Sequence, residues 1–160
     1  MGSQSLSKRS NWQKSARLIG NAGESTFASL LAKNLPEHYE VVYKPKKLVI
    51  YSNKKGILLD SMVCNKKTGK VLYIENKTGN NGGNAHERAY KFLSEPLKRL
   101  MVERFGTVRE PVFFVFSGKT FQGQKYQDEL ELLLKDSNYA IMQLENENIK
   151  QVVNQIMEIV

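Results

Sequence analysis

A chain of 160 residues with 41% hydrophobic content has the size of one domain and enough apolar surface for a core, which excludes wholesale disorder. No apolar run reaches the roughly 18–20 residues that cross a bilayer, the start has no apolar signal core, and one cysteine (Cys64) with two histidines gives neither a disulfide nor a zinc framework. The 24 Lys and Arg against 16 Asp and Glu leave +8, a charge that favours a polyanionic partner without conferring sequence specificity. A single domain over 1–160, its first ten residues loose, working in the cytoplasm and away from membranes, is the expectation.

In chain order, Asn21-Ala22-Gly23-Glu24 opens a helix with Phe27, Leu30 and Leu31 on one face, stopped by Pro36. Tyr39–Lys44 and Leu48–Ser52 read as strands, and Ile57–Cys64 as a third with Asp60 inside it. The turn Asn65-Lys66-Lys67-Thr68-Gly69 reverses the chain into the strand Val71–Lys77, predicting a hairpin. After a glycine- and asparagine-rich loop, Ala85, Ala89, Phe92 and Leu93 fall at helical spacing, and Ser94-Glu95-Pro96 starts a second helix with Leu97, Leu100 and Met101. Pro111–Phe116 is apolar on both faces, the pattern of a central, doubly covered strand. A helix at 124–135, a strand at 139–144 and a helix at 146–158 follow. This order predicts an α/β fold with a mixed sheet flanked by helices on both sides.

Three charged residues concentrate the chemistry. Glu75 and Lys77 are two apart and so project from one face of a strand, and Asp60, across the tight turn, falls beside Glu75. Two adjacent carboxylates are costly unless a cation joins them, and Mg²⁺ takes oxygen ligands while keeping several waters. A neighbouring lysine then orients or activates a water and stabilises charge on a phosphate. The same residues also fit a cross-sheet charge pair with Asp60 capping a turn.

The loop Gly79–Gly83 lacks the Gly-Lys-Ser/Thr of a phosphate loop, so nucleotide binding is unsupported. Asn84 and Arg88 are four apart, on one face of an α-helix. Asparagine can pair with an adenine edge and arginine with purine acceptors, although an Asn N-cap followed by solvated residues also fits. His86 is either a phosphate contact or an exposed helix residue, and Lys44, Lys46 and Lys47 are phosphate-positioning or solvated lysines.

Glu75-Asn76-Lys77 followed by Gly83-Asn84-Ala85-His86-Glu87-Arg88 resembles the EcoRI/MunI group of type II restriction endonucleases, within the PD-(D/E)xK nuclease superfamily, and lies nearer its MunI-like branch. The likeness extends to Ser5-Leu6-Ser7, Asn11-Trp12-Gln13, Lys91-Phe92, Pro96-Leu97 and Val112–Gly118. It implies a restriction-endonuclease-like α/β/α sandwich that hydrolyses double-stranded DNA with Mg²⁺, leaving 5′-phosphates and four-base 5′ overhangs. By the resemblance Asp60 and Glu75 hold the metal, helped by the carbonyl of Asn76 and by Glu24, and Lys77 acts on the attacking water. Gly83, Asn84, Ala85 and Arg88 belong to the segment that reads a central A-A-T-T. A homodimer on a palindrome and a partner methyltransferase in the host are expected.

Two departures stand out. The usual Pro-Asp is Leu59-Asp60, and the arginine expected before Gly-Asn-Ala is Gly82. The second suggests a shortened recognition site, only A-A-T-T. The competing functions are a resolvase or repair nuclease of the same fold and a DNA-binding module without catalysis.

Overall fold

The structure, a computed structural model, describes residues 24, 26–49, 56–80 and 85–160, with the main chain alone at 49, 85 and 88. Expectations on Ser5–Ser7, Asn11–Gln13, the first ten residues, the helix start at Asn21–Gly23, Gly83 and Asn84 lie outside the described residues.

Strand β6 (Thr107–Ser117) organises the molecule. Its segment Pro111–Phe116 is buried on both faces, so a layer must cover each side. The sheet runs in the order β1 (Tyr39–Tyr43), β4 (Ser61–Asn65), β5 (Val71–Thr78), β6 and β7 (Asn138–Ile141). β1, β4 and β5 are antiparallel neighbours, whereas β5, β6 and β7 run parallel. A separate two-stranded ribbon pairs β2 (Leu48–Val49) with β3 (Gly56–Ile57).

Parallel neighbours need crossovers. A 3₁₀ segment (Ala85–Leu93) and α2 (Glu95–Phe105) carry the chain from β5 to β6, and α3 (Gln124–Leu134) carries it from β6 to β7. Both crossovers step the same way along the sheet, so the right-handed rule puts them on one face. There Ala89, Phe92, Met101, Leu130 and Leu134 pack on Tyr73, Phe114 and Phe116. On the opposite face α1 (24 and 26–34) and α4 (Ile149–Ile159) cover Leu72, Ile74, Phe113 and Val115 with Phe27, Leu31, Val152, Val153 and Ile156. Each large side chain so buried contributes roughly 1.5–3 kcal/mol. The mixed sheet with helices on both sides is the architecture expected from the alternation of elements.

Boundaries have local causes. The first helix stops ahead of Pro36 as expected. α2 begins at Ser94-Glu95-Pro96, and it ends where Gly106 turns left-handed (φ 64°) and its N–H bonds the carbonyl of Val102. The hairpin turn closes through left-handed Gly69 (φ 74°), with the amides of Thr68 and Gly69 on the carbonyl of Asn65.

At the other end of the sheet, the loops leaving β5 and β6 are clasped together. The amide of Gly79 bonds the carbonyl of Ser117 at 2.9 Å, and the amide of Thr120 bonds that of Gly79 at 2.9 Å. Gly118 sits between them at φ 97°, where a Cβ would run into the carbonyl of Gly79. Gly69 has the same type of φ but open space around it. Gly69→Ala is therefore expected to cost about 1–2 kcal/mol from backbone conformation alone. Gly118→Ala should cost at least about 3 kcal/mol, because strain and collision add. Urea denaturation of the two variants measures the difference.

Candidate active site

The register of the β4–β5 hairpin leads to the site. Its last rung is Ser61↔Ile74, so Asp60 stands one step beyond it, level with Glu75. The expected continuous strand Ile57–Cys64 is broken here: residues 58–60 leave the sheet, and Gly56–Ile57 pairs with β2 instead. The cause is a side chain. Asp60 Oδ2 accepts the amide of Asn76 at 2.6 Å, taking the hydrogen bond that a continuing strand would have received through a main-chain carbonyl. Asp60 is held in turn by its own amide on the carbonyl of Ile74 (3.1 Å) and by the amide of Lys44 on its carbonyl (2.9 Å). Leu59 is buried in the core with Phe92 and Phe114, and this apolar anchor fixes the chain just before the carboxylate.

Glu75 and Lys77 face the same side of β5, as their spacing predicts, and Lys77 Nζ donates to Glu75 Oε1 at 2.6 Å. Their parallel neighbours on β6 are Phe114 and Phe116, an apolar wall that leaves Glu75 only 7% exposed. Burial pushes the Glu75 carboxyl above its usual range, and nearby Asp60 adds to the rise against the opposing pull of Lys77 and Lys91. From the start of α1, Glu24 hydrogen-bonds Asp60, and partial burial together with the Asp60 charge raises it to about 7. Below about pH 7 Glu24 thus tends to retain its proton.

Glu24, Asp60, Glu75 and Lys77 are therefore brought together. Lys44 joins them, since its charge opposes the rise at Glu24; it sits at φ 49° where β1 ends, a position that no spacing in the sequence signals. Lys46 and Lys47 are exposed on the segment leading to β2. Lys91 was not singled out by sequence reasoning, yet its charge reaches Glu75 from the 3₁₀ segment.

His86 departs from expectation. Its side chain is 3% exposed, which leaves no face for a phosphate. The reason is the helix type: a 3₁₀ helix repeats every three residues, so His86, Ala89 and Phe92 share the buried side. The α-helical face drawn through Ala85, Ala89 and Phe92 is replaced by this one. For Ala85 and Arg88 only the main chain is described.

Asp60 lies close enough to Glu24 and Glu75 to raise their proton affinity, but among the described residues no three His, Cys, Asp or Glu side chains close into a cage for an ion. They do fit a cation that keeps most of its waters and uses one or two carboxylates. Glu75 Oε2 is buried without a hydrogen-bond partner among the described residues, an acceptor left over after Lys77 has taken Oε1.

The fold has a solved counterpart. The structure of MunI restriction endonuclease in complex with cognate DNA superposes with a TM-score of 0.62 at 21% identity, covering 82% of this chain and 92% of that one. The fold is restriction-endonuclease-like. An XisH family protein from Nostoc punctiforme PCC 73102 aligns at 12% identity and a TM-score of 0.40 over 74% of this chain and 91% of its own. No protein-family model matches the sequence, and no curated protein matches it. Among the described residues no helix is long and apolar enough to cross a membrane.

The raised Glu24 carboxyl sets a pH dependence. Between its ordinary 4.5 and about 7 the folded protein holds a proton that the unfolded chain releases, so the stability Glu24 contributes is full below that window and falls as pH rises through it. Glu24→Gln is expected to flatten the decline in Tm between about pH 5 and pH 7.5. A divalent cation binds deprotonated carboxylates, so it should raise the wild-type Tm more at the higher pH. Thermal melts with Mg²⁺ or with chelator measure both effects.

Proposed function

We propose that this protein is a type II restriction endonuclease that cuts double-stranded DNA in a Mg²⁺-dependent reaction at a short palindrome containing A-A-T-T. The observation that carries the reading is the meeting of Asp60, Glu75 and Lys77 where β4 parts from β5, on the strand that leads into Gly83–Arg88. The net charge of +8 supports a DNA substrate.

Asp60, Glu75 and the carbonyl of Asn76 would hold Mg²⁺, with Glu24 an accessory acid beside Asp60. The ion, when bound, supplies Lewis-acid stabilisation of the phosphate and lowers the pKa of a water. Lys77 gives one of its three N–H groups to Glu75, leaving two for the attacking water and a phosphate oxygen. Glu75 thereby orients the lysine while its other oxygen remains available. The water oxygen bonds to phosphorus as the P–O3′ bond breaks; the water loses a proton, the O3′ leaving group gains one, and a 5′-phosphate remains.

Gly83, Asn84, Ala85 and Arg88 read base edges, and Lys44, Lys46 and Lys47 attract the phosphate backbone. A palindrome calls for two copies related by a two-fold axis, each cutting one strand to leave a 5′ overhang. Such activity in the cytoplasm requires a methyltransferase that marks the host's own sites.

Incubating plasmid with protein and Mg²⁺ should yield discrete fragments whose sequenced ends share one palindrome with A-A-T-T at its centre. Retarded but uncut DNA, or cutting confined to junctions and mismatches, would overturn the assignment. Asp60→Asn and Lys77→Ala should each abolish cleavage in that digest while retaining the gel shift.

Arg88→Ala should weaken cognate binding by about 1–3 kcal/mol and blur the preference. Titration of cognate against scrambled duplexes measures this, and an unchanged ratio would remove Arg88 from base reading.

A further inference from the structure

The segment Ala85–Leu93 is a nine-residue 3₁₀ helix. Runs longer than three or four residues are uncommon, because eclipsed side chains and poorer hydrogen bonds disfavour them. Something outside the segment must hold it. The candidate is the buried imidazole that the proposed chemistry does not use.

His86 Nε2 lies 3.0 Å from Glu129 Oε1 on α3. Against a carboxylate the ring nitrogen donates. Three aromatic rings enclose the imidazole edge-to-face: Tyr90 at 6.0 Å, Phe121 at 5.9 Å and Tyr126 at 5.7 Å between centroids. Tyr90 Oη reaches the same Glu129 oxygen at 3.4 Å, so one carboxylate oxygen collects two side chains of the segment. Nδ1 is buried with no partner among the described residues. A leucine in this socket would avoid that orphaned atom, so an apolar filler alone does not account for the histidine.

Phe121 belongs to the short 3₁₀ turn Lys119–Gln122, which the Gly79–Thr120 hydrogen bond ties to the loop leaving β5. The socket around His86 is therefore tied to Gly79 at the end of β5 as well as to the 3₁₀ segment. Turning the segment about its axis would break the Glu129 contact and expose Ala89 and Phe92, which are spaced at the same three-residue interval.

We propose that His86 is a positioning residue for sequence recognition. Its bond to Glu129 fixes the rotation of the 3₁₀ segment, and so sets the direction in which positions 85 and 88 are presented to DNA. The inference rests on the reading of this segment as the base reader and adds the device that orients it.

Selection from a randomised duplex pool with the wild-type protein first defines the preferred site. Affinity for that site relative to its one-base variants is then measured for wild type, His86→Leu, His86→Gln and Glu129→Ala. Ile156→Ala, in the core on the other face of the sheet, controls for general loss of stability. His86→Leu and Glu129→Ala are expected to lower the preference about tenfold or more, the scale of one misread base pair. His86→Gln keeps a nitrogen donor within reach of Glu129 and should restore most of the preference, and Ile156→Ala should leave it unchanged. If His86→Leu remains folded and keeps the wild-type ratio, or if Ile156→Ala lowers it equally, the positioning role is overturned while base reading stands. A wild-type protein that selects no site overturns the base-reading assignment, and the inference with it.

Discussion

The hydrogen bond from the Asn76 amide to Asp60 Oδ2 is the contact on which the site depends. A strand amide facing the interior needs an acceptor, and leaving one unpaired costs about 1–3 kcal/mol. Had a main-chain carbonyl met that need, β4 would have continued alongside β5 and buried this edge under another rung. Because a side chain meets it, the chain departs at residues 58–60, and Leu58 ends up 70% exposed while Leu59 is drawn into the core. The carboxylate that ends the pairing is thereby held over Glu75. One interaction terminates a strand and assembles the acidic cluster.

The rest of the sheet makes that placement rigid. β5 is gripped by β4 on one side and by β6 on the other, with helices above and below. Glu75 and Lys77 lie near the carboxyl end of a parallel strand, the end at which open α/β sheets present ligand sites. On the same face the 3₁₀ segment packs Ala89 and Phe92 against Phe114 and Phe116, the strand residues that flank Glu75 and Lys77. The proposed reader and the proposed catalytic strand thus share one apolar layer, so a shift in either is felt by the other through close packing.

Much of this was legible in the sequence because it is periodic. Period two put Glu75 and Lys77 on one face, the short turn put Asp60 beside them, and the two-sided apolar run identified β6 as a covered strand. What was not legible depends on contacts distant in sequence. Ile57-Leu58-Leu59 looks like uninterrupted strand, and only the competition for the Asn76 amide breaks it. Lys44 enters the cluster through a left-handed turn that its residue type does not favour. Ala85, Ala89, Phe92 and Leu93 match an α-helical stripe as well as His86, Ala89 and Phe92 match a 3₁₀ one, and the acceptor on α3 decides between them. A buried histidine was not foreseeable without knowing that Glu129 would face it.

The distribution of unmet hydrogen-bonding capacity argues in the same direction. Among the described residues, Ser61 Oγ, Glu75 Oε2, Asn76 Nδ2, His86 Nδ1 and Thr107 Oγ1 are buried without a partner. Three of these five adjoin Asp60 and a fourth lies in the 3₁₀ segment Ala85–Leu93, so the cost is concentrated rather than scattered. Elsewhere the interior meets such needs even over long separations, as where buried Asn65 donates to the carbonyl of Val160 at 2.8 Å. Among the described residues, Glu75 keeps an open acceptor and Asn76 an open donor, on opposite faces of one strand, which leaves local free energy high on β5. In the proposed function a bound cation would offset the part of that cost carried by Glu75 Oε2.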